Sequence, residues 1–143
     1  MKLRSGGAVG ALAALLAVLL TTDPSPVADA AERDDLVTVQ ALLANGADVR
    51  AAQGDGMTAL HWAAYHGNPD LAGAVLDAGG DVAATTRIGA YTPLHLAARV
   101  GAGPVVRLLL EAGADPSAAS QDVGGALPIH FAAEAGGADA IDA

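Results

Sequence analysis

Cysteine is absent from all 143 residues, and lysine occurs once, at Lys2. The first absence removes any disulfide framework and any thiolate metal site. The second leaves five basic side chains beyond the N-terminus, Arg33, Arg50, Arg87, Arg99 and Arg107, each standing alone. Nucleic-acid binding needs clustered cations to displace counter-ions from phosphates, so that class is excluded. Rings are equally scarce: Trp62, Tyr65, Tyr91 and Phe131 are the only aromatics besides histidine. A deep single core needs bulky side chains, and this chain has few. It has instead much alanine and 18 glycines, a composition suited to thin layers packed closely on one another. A formal charge of −9 marks an acidic, soluble surface.

The opening "MKLRSGGAVGALAALLAVLLTT" places Lys2 and Arg4 before an apolar run from Ala8 to Leu20, with the first acid at Asp23. The run is short of the ~20 residues that a spanning helix needs and fits a secretory signal. The expectation is a signal peptide over 1–22, cut between 22 and 30, and a periplasmic or secreted product. Ala28-Asp29-Ala30 offers small residues for a cut after Ala30. The alternative is an uncleaved anchor, which is the one membrane contact the sequence suggests. No cysteine follows the run, so a lipid anchor on cysteine is excluded.

From residue 27 onward the chain repeats itself. "NGADV", "AGGDV" and "AGADP" recur with Asp48, Asp81 and Asp115 spaced 33 and 34 apart. "TALHWAAY", "TPLHLAAR" and "LPIHFAAE" carry His61, His95 and His130, spaced 34 and 35 apart. Two markers holding one period identify a repeat architecture. The pattern resembles the ankyrin-repeat family, whose signature includes T-P-L-H-x-A-A, a following G, then V-x-x-L-L and G-A-D. The resemblance covers roughly residues 27–141 and suggests an exported, bacterial-type member. Four units can be drawn over 27–143, at about 27–52, 53–84, 85–118 and 119–143.

Each unit has a local physical basis. Thr58 and Thr92 stand where a helix N-cap belongs, and Pro93 follows at the first helical position. Gly67, Gly101 and Gly136 end the first helix, and Gly46, Gly79 and Gly113 end the second. Leu36, Val39, Leu42 and Leu43, and again Val105, Val106, Leu108 and Leu109, keep helical spacing. Segments around Asp55, Gly89 and Gly124 make the turns between units. One such helix pair cannot bury its own apolar face, so units must stack. The predicted class is all-α: a solenoid of helix-turn-helix units joined by β-turn or hairpin-like loops.

Histidines recurring once per unit demand a role that recurs once per unit. Catalysis or metal binding needs side chains converging within a few ångströms, whereas equivalent positions in stacked repeats lie in a row about 10 Å apart. Thr58, His61, Thr92, His95 and His130 are therefore assigned to structure; the competing reading is a histidine-dependent metal site or hydrolase. His66 lies outside the repeated pattern. No cofactor or small-molecule substrate is expected.

What the resemblance implies is a non-catalytic module that binds a protein through its concave face and turn tips. Its variable positions map onto Tyr65, His66, Arg99, Val100 and Glu134 on the first helices, with Ala135 beside the last. On the turns they map onto Asp55, Met57, Arg87, Ile88, Tyr91 and Asp122, with Val123 beside it. Trp62, Leu96 and Phe131 occupy an adjacent position usually kept packed. A structural spacer or docking arm of a longer ankyrin protein is the alternative.

Departures from the pattern are specific. The asparagine after G-A-D-V is replaced by Arg50, Ala83 and Ser117, removing a brace of the turn. Leu127 replaces the capping threonine, Gly73 interrupts a second helix, and the turn "TTRIGAYT" holds one residue more than its predecessor. "GGADAIDA" begins a second helix without a leucine pair or cap, so a fragment of a longer array is expected, least ordered from about Gly136.

Overall fold

The computed structural model describes residues 25–121 and 124–134, with Ala133 and Glu134 described by backbone alone. The expected signal peptide and the tail from Gly136 lie outside those residues. Seven helices are described: α1 Pro26–Glu32, α2 Leu36–Ala44, α3 Ala59–His66, α4 Pro69–Asp77, α5 Pro93–Arg99, α6 Gly103–Glu111 and α7 Pro128–Glu134. No strand occurs among the described residues. The odd-numbered helices open each unit and the even-numbered ones close it, giving the all-α stack of hairpins expected.

Helix starts follow from capping side chains. Thr58 Oγ1 accepts from the His61 amide, and His61 Nδ1 accepts from the Thr58 amide at 3.1 Å, with the same reciprocal pair at Thr92 and His95. Histidine here takes the part that a glutamate or glutamine plays in the usual capping box. Asp35 and Asn68 cap the second helices of the first two units, whereas Ala102 caps α6 with no side-chain bond. The left-handed residue between paired helices is Gly67 (φ +64°) and Gly101 (φ +71°), but Asp34 (φ +56°) in the first unit. An acid stands there because Asp and Asn tolerate that conformation better than most side chains.

The core is layered. Ala30, Ala63, Ala97 and Ala132 form one row along the first helices, all essentially inaccessible. Val39, Ala72 and Val106 form a second row, and Leu42, Val75 and Leu109 a third. Burying each of the larger side chains contributes about 1.5–3 kcal/mol. Because alanine separates the first helices, they pack on one another more extensively than the second helices do. The stack therefore bends with the first helices on its inner, concave side.

Three fingers project between units. Gln53 N–H donates to Met57 O, Thr86 N–H to Tyr91 O, and Ser120 N–H to Ala126 O, closing successively longer loops. Neighbouring fingers are joined by Arg87 N–H to Asp55 O at 2.8 Å and Gln121 N–H to Gly89 O at 2.7 Å. The extra residue in the third unit is absorbed by two consecutive left-handed positions, Gly89 (φ +80°) and Ala90 (φ +51°). The missing asparagine leaves no unbraced turn: Asp48, Asp81 and Asp115 each accept the amide of the residue two further on. Arg50 Nε also reaches Gly79 O of the next unit at 2.8 Å.

Candidate functional site

Two of the three repeated histidines, His61 and His95, bridge seams. His61 Nδ1 accepts from a backbone amide, which can only donate, so the neutral ring carries its proton on Nε2. That Nε2–H donates to Tyr91 O of the following unit at 2.9 Å. His95 repeats the arrangement, with Nδ1 at 3.0 Å from Thr92 N and Nε2 at 3.2 Å from Ala126 O. His130 Nδ1 accepts from Leu127 N–H at 3.0 Å, keeping half of the box where the threonine is missing. His61 and His95 engage successive seams, and among the described residues no three His, Asp or Glu side chains gather as metal ligands. Burial lowers the His61 pKa below the ordinary imidazole value, opposed by its bond to Tyr91 O and by the charges of Asp55 and Asp81. Threonine and histidine are thus parts of the scaffold that presents the inner face.

On that face, α3 offers the densest chemistry. Tyr65 is 54% exposed and meets Trp62 edge-on at 5.5 Å between centroids. His66 is exposed, stacks on Trp62 at 6.1 Å, and donates from Nε2 to Glu32 O in the preceding unit. Trp62 is half-buried, its Nε1 donating to Gln53 Oε1 at 2.8 Å. Leu96 and Phe131, one and two units further on, are buried.

The other positions mapped from the sequence scatter in exposure. Arg99 and Val100 are exposed at the end of α5; Asp55, Arg87 and Ile88 are exposed at the fingers, Ile88 at 84%. Met57 is half-buried against the core, and Asp55 spends one carboxylate oxygen on the Met57 amide. Tyr91 is half-buried too, meeting His95 and Phe131 edge-on at 5.9 and 5.5 Å. Its ring also lies where a side chain on Gly89 would stand, so that glycine is required for the ring to fold back. Asp122 and the Glu134 side chain lie outside the described residues.

One feature had no sequence signal. Gln53 gathers two carboxylates of α1, donating from Nε2 to Asp29 Oδ1 at 2.5 Å and to Glu32 Oε2 at 2.8 Å. Only the register of one unit on the next brings these three together beside Trp62. On the opposite side, an open groove of about 400 Å³ runs between α2 and α4, lined by Leu36, Gln40, Asp70, Gly73 and Asp77. Gly73 contributes to it by lacking a side chain.

Comparison with known proteins meets this geometry. Residues 27–120 match the family described as "Ankyrin repeats (3 copies)". The chain is 43% identical over 106 residues to the E3 ubiquitin-protein ligase KEG of Arabidopsis thaliana, covering 73% of this chain and 6% of that protein. It is 45% identical over 76 residues to the nuclear factor NF-kappa-B p105 subunit of Mus musculus, 52% of this chain and 8% of that one. Zygote-specific protein 3 of Chlamydomonas reinhardtii is 37% identical over 124 residues, 81% of this chain and 33% of the relative. The chain thus spans a small part of the length of these relatives. Capped hairpins bound to one another by a recurring imidazole, matched over the same residues, show that this chain belongs to the ankyrin-repeat family.

Proposed function

We propose that the chain is a non-catalytic module that binds a protein along its concave first-helix face and adjoining fingers. The observation that supports this most directly is the exposed aromatic edge of α3, where Tyr65 and His66 stand out from a chain with four aromatic residues. Tyrosine and arginine are enriched where interfaces concentrate their energy, and Arg99 takes the place of Tyr65 one unit further on. Asp55, Met57, Arg87, Ile88, Tyr91 and Val100 extend the reading to the fingers and to α5, and Asp122 and Glu134 continue it. The partner meets the module outside the cytoplasm if residues 1–22 act as an export signal.

The test is capture of a partner by the chain and by a Tyr65→Ala/Arg99→Ala variant. Both side chains are exposed, so the fold should survive. The expected result is at least tenfold weaker capture, with Val37→Ala on α2 as the control that leaves it unchanged. Equal capture by the double variant would refute the concave face.

A further inference from the structure

The sites on α3 and α1 carry a narrower reading, which rests on the interaction face proposed above. Position by position, Asp29 and Glu32 of α1 stand one repeat before Trp62 and Tyr65 of α3. The inner face therefore runs from an acidic helix to an aromatic one. Gln53 bridges them: its Oε1 takes the Trp62 proton, and its Nε2 holds Asp29 Oδ1 and Glu32 Oε2 together. Two carboxylates that share one neutral amide repel each other unless a cation joins them. Among the described residues no arginine does so, and none of them bonds the second oxygen of either carboxylate. Beside them lie the Tyr65 ring, largely exposed, and the His66 ring, fixed by its own bond to Glu32 O.

We infer that this aromatic edge, with the carboxylates of Asp29 and Glu32 beside it, receives an arginine side chain of the partner protein. A guanidinium is planar and weakly hydrated, donates in a fork to carboxylate oxygens, and stacks on an aromatic face. The two open oxygens and the exposed rings offer both modes at one place. A chain of net charge −9 supplies a field that favours a cationic segment over an acidic one. An ammonium group fits less well, because it has no flat face to lay against a ring.

The only tryptophan of the chain, Trp62, reports on the site directly. Its fluorescence is followed while the whole chain is titrated with acetyl-Gly-Gly-Arg-Gly-Gly-amide at low salt, and with the same peptide carrying neutral citrulline. The arginine peptide should saturate with a Kd on the order of millimolar. The citrulline peptide should bind at least fivefold more weakly. Asp29→Asn/Glu32→Gln should weaken the arginine peptide at least fivefold while the Tm changes little, and 0.5 M salt should weaken it in the wild type. Equal binding of the two peptides overturns the inference, as does a double variant that binds like the wild type. Partner capture that needs Tyr65 and Arg99, with no preference for arginine over citrulline, refutes the arginine assignment alone. Arginine binding with capture indifferent to Tyr65 and Arg99 refutes the interaction face and leaves the peptide site standing.

Discussion

His61 Nε2 stands 2.9 Å from the carbonyl oxygen of Tyr91, thirty residues along the chain and one unit away. The other nitrogen of the same ring accepts the amide of Thr58 within its own unit. One buried side chain thus starts a helix and ties that helix to the next finger. His61→Ala should therefore cost about 2–3 kcal/mol, because the buried Thr58 amide loses its acceptor and the ring leaves a gap. Thermal melts followed by circular dichroism check it; a Tm within 2 °C of the wild type would contradict the tie. Tyr91 O keeps a second donor in the Thr86 amide, so the loss falls mainly on the Thr58 side.

Acid should weaken the same seam. His61 is buried as the neutral tautomer and its folded pKa is lowered, while the unfolded chain has the ordinary value near 6.5. Below that value the unfolded state takes up the proton first. The contribution of His61 is thus complete above about pH 6.5 and is lost as the pH falls toward the folded pKa. The Tm should drop between pH 7 and pH 5, and His61→Gln should flatten the slope. A Tm that rises over that interval would contradict the buried neutral ring.

Two glycines should respond oppositely to alanine. Gly73 lies within α4, and a Cβ there would meet nothing within 4 Å. Gly73→Ala should stabilise by about 0.5–1 kcal/mol through helix propensity and a less free unfolded chain. Gly67 has φ +64°, and its Cβ would stand 3.2 Å from Ala102 Cβ, so Gly67→Ala should destabilise by about 1 kcal/mol or more. Denaturation midpoints of the two variants that shift in the same direction would undo the argument.

Asn68 is a cap with two duties. Its Oδ1 accepts the amides of Asp70 and Leu71, and its Nδ2 reaches Asp34 Oδ1 of the preceding unit at 2.8 Å. Asn68→Ala should cost about 1 kcal/mol, most of it the cap. Asp34→Gly, which removes the carboxylate and keeps the left-handed backbone, should cost less, since the bridge is exposed. Chemical denaturation of both single variants and the double one would expose any coupling between them.

Much of the fold was legible because its signals are local. Thr58 before an alanine-rich helix, Gly46 and Gly113 after leucine pairs, Gly79 after Val75-Leu76, and one period for two markers each speak through a few neighbouring residues. The left-handed glycines after the second helices, φ +83°, +95° and +95°, stand where the caps were expected. Asp34 was harder to read, since a left-handed aspartate looks like any acid of a helix start. The candidate face was legible only as a set of positions. That Tyr91 turns half inward depends on Gly89 and on Phe131 of the next unit, and the gathering of Asp29 and Glu32 depends on Gln53. Contacts between units are set by register, which no single window of sequence contains.

If residues 1–22 act as an export signal, the buried opening helix constrains where they can be cut off. Ser25, Val27, Ala28, Ala30 and Ala31 are all buried, and α1 packs against both α2 and α3. A peptidase cutting after Ala30 would strip most of that helix, leaving the flank of α3 wet and removing Asp29 from the aromatic edge. A cut before Ser25 leaves the array whole. Mass spectrometry of the N-terminus would therefore read out whether any such cut spares the first layer of the solenoid.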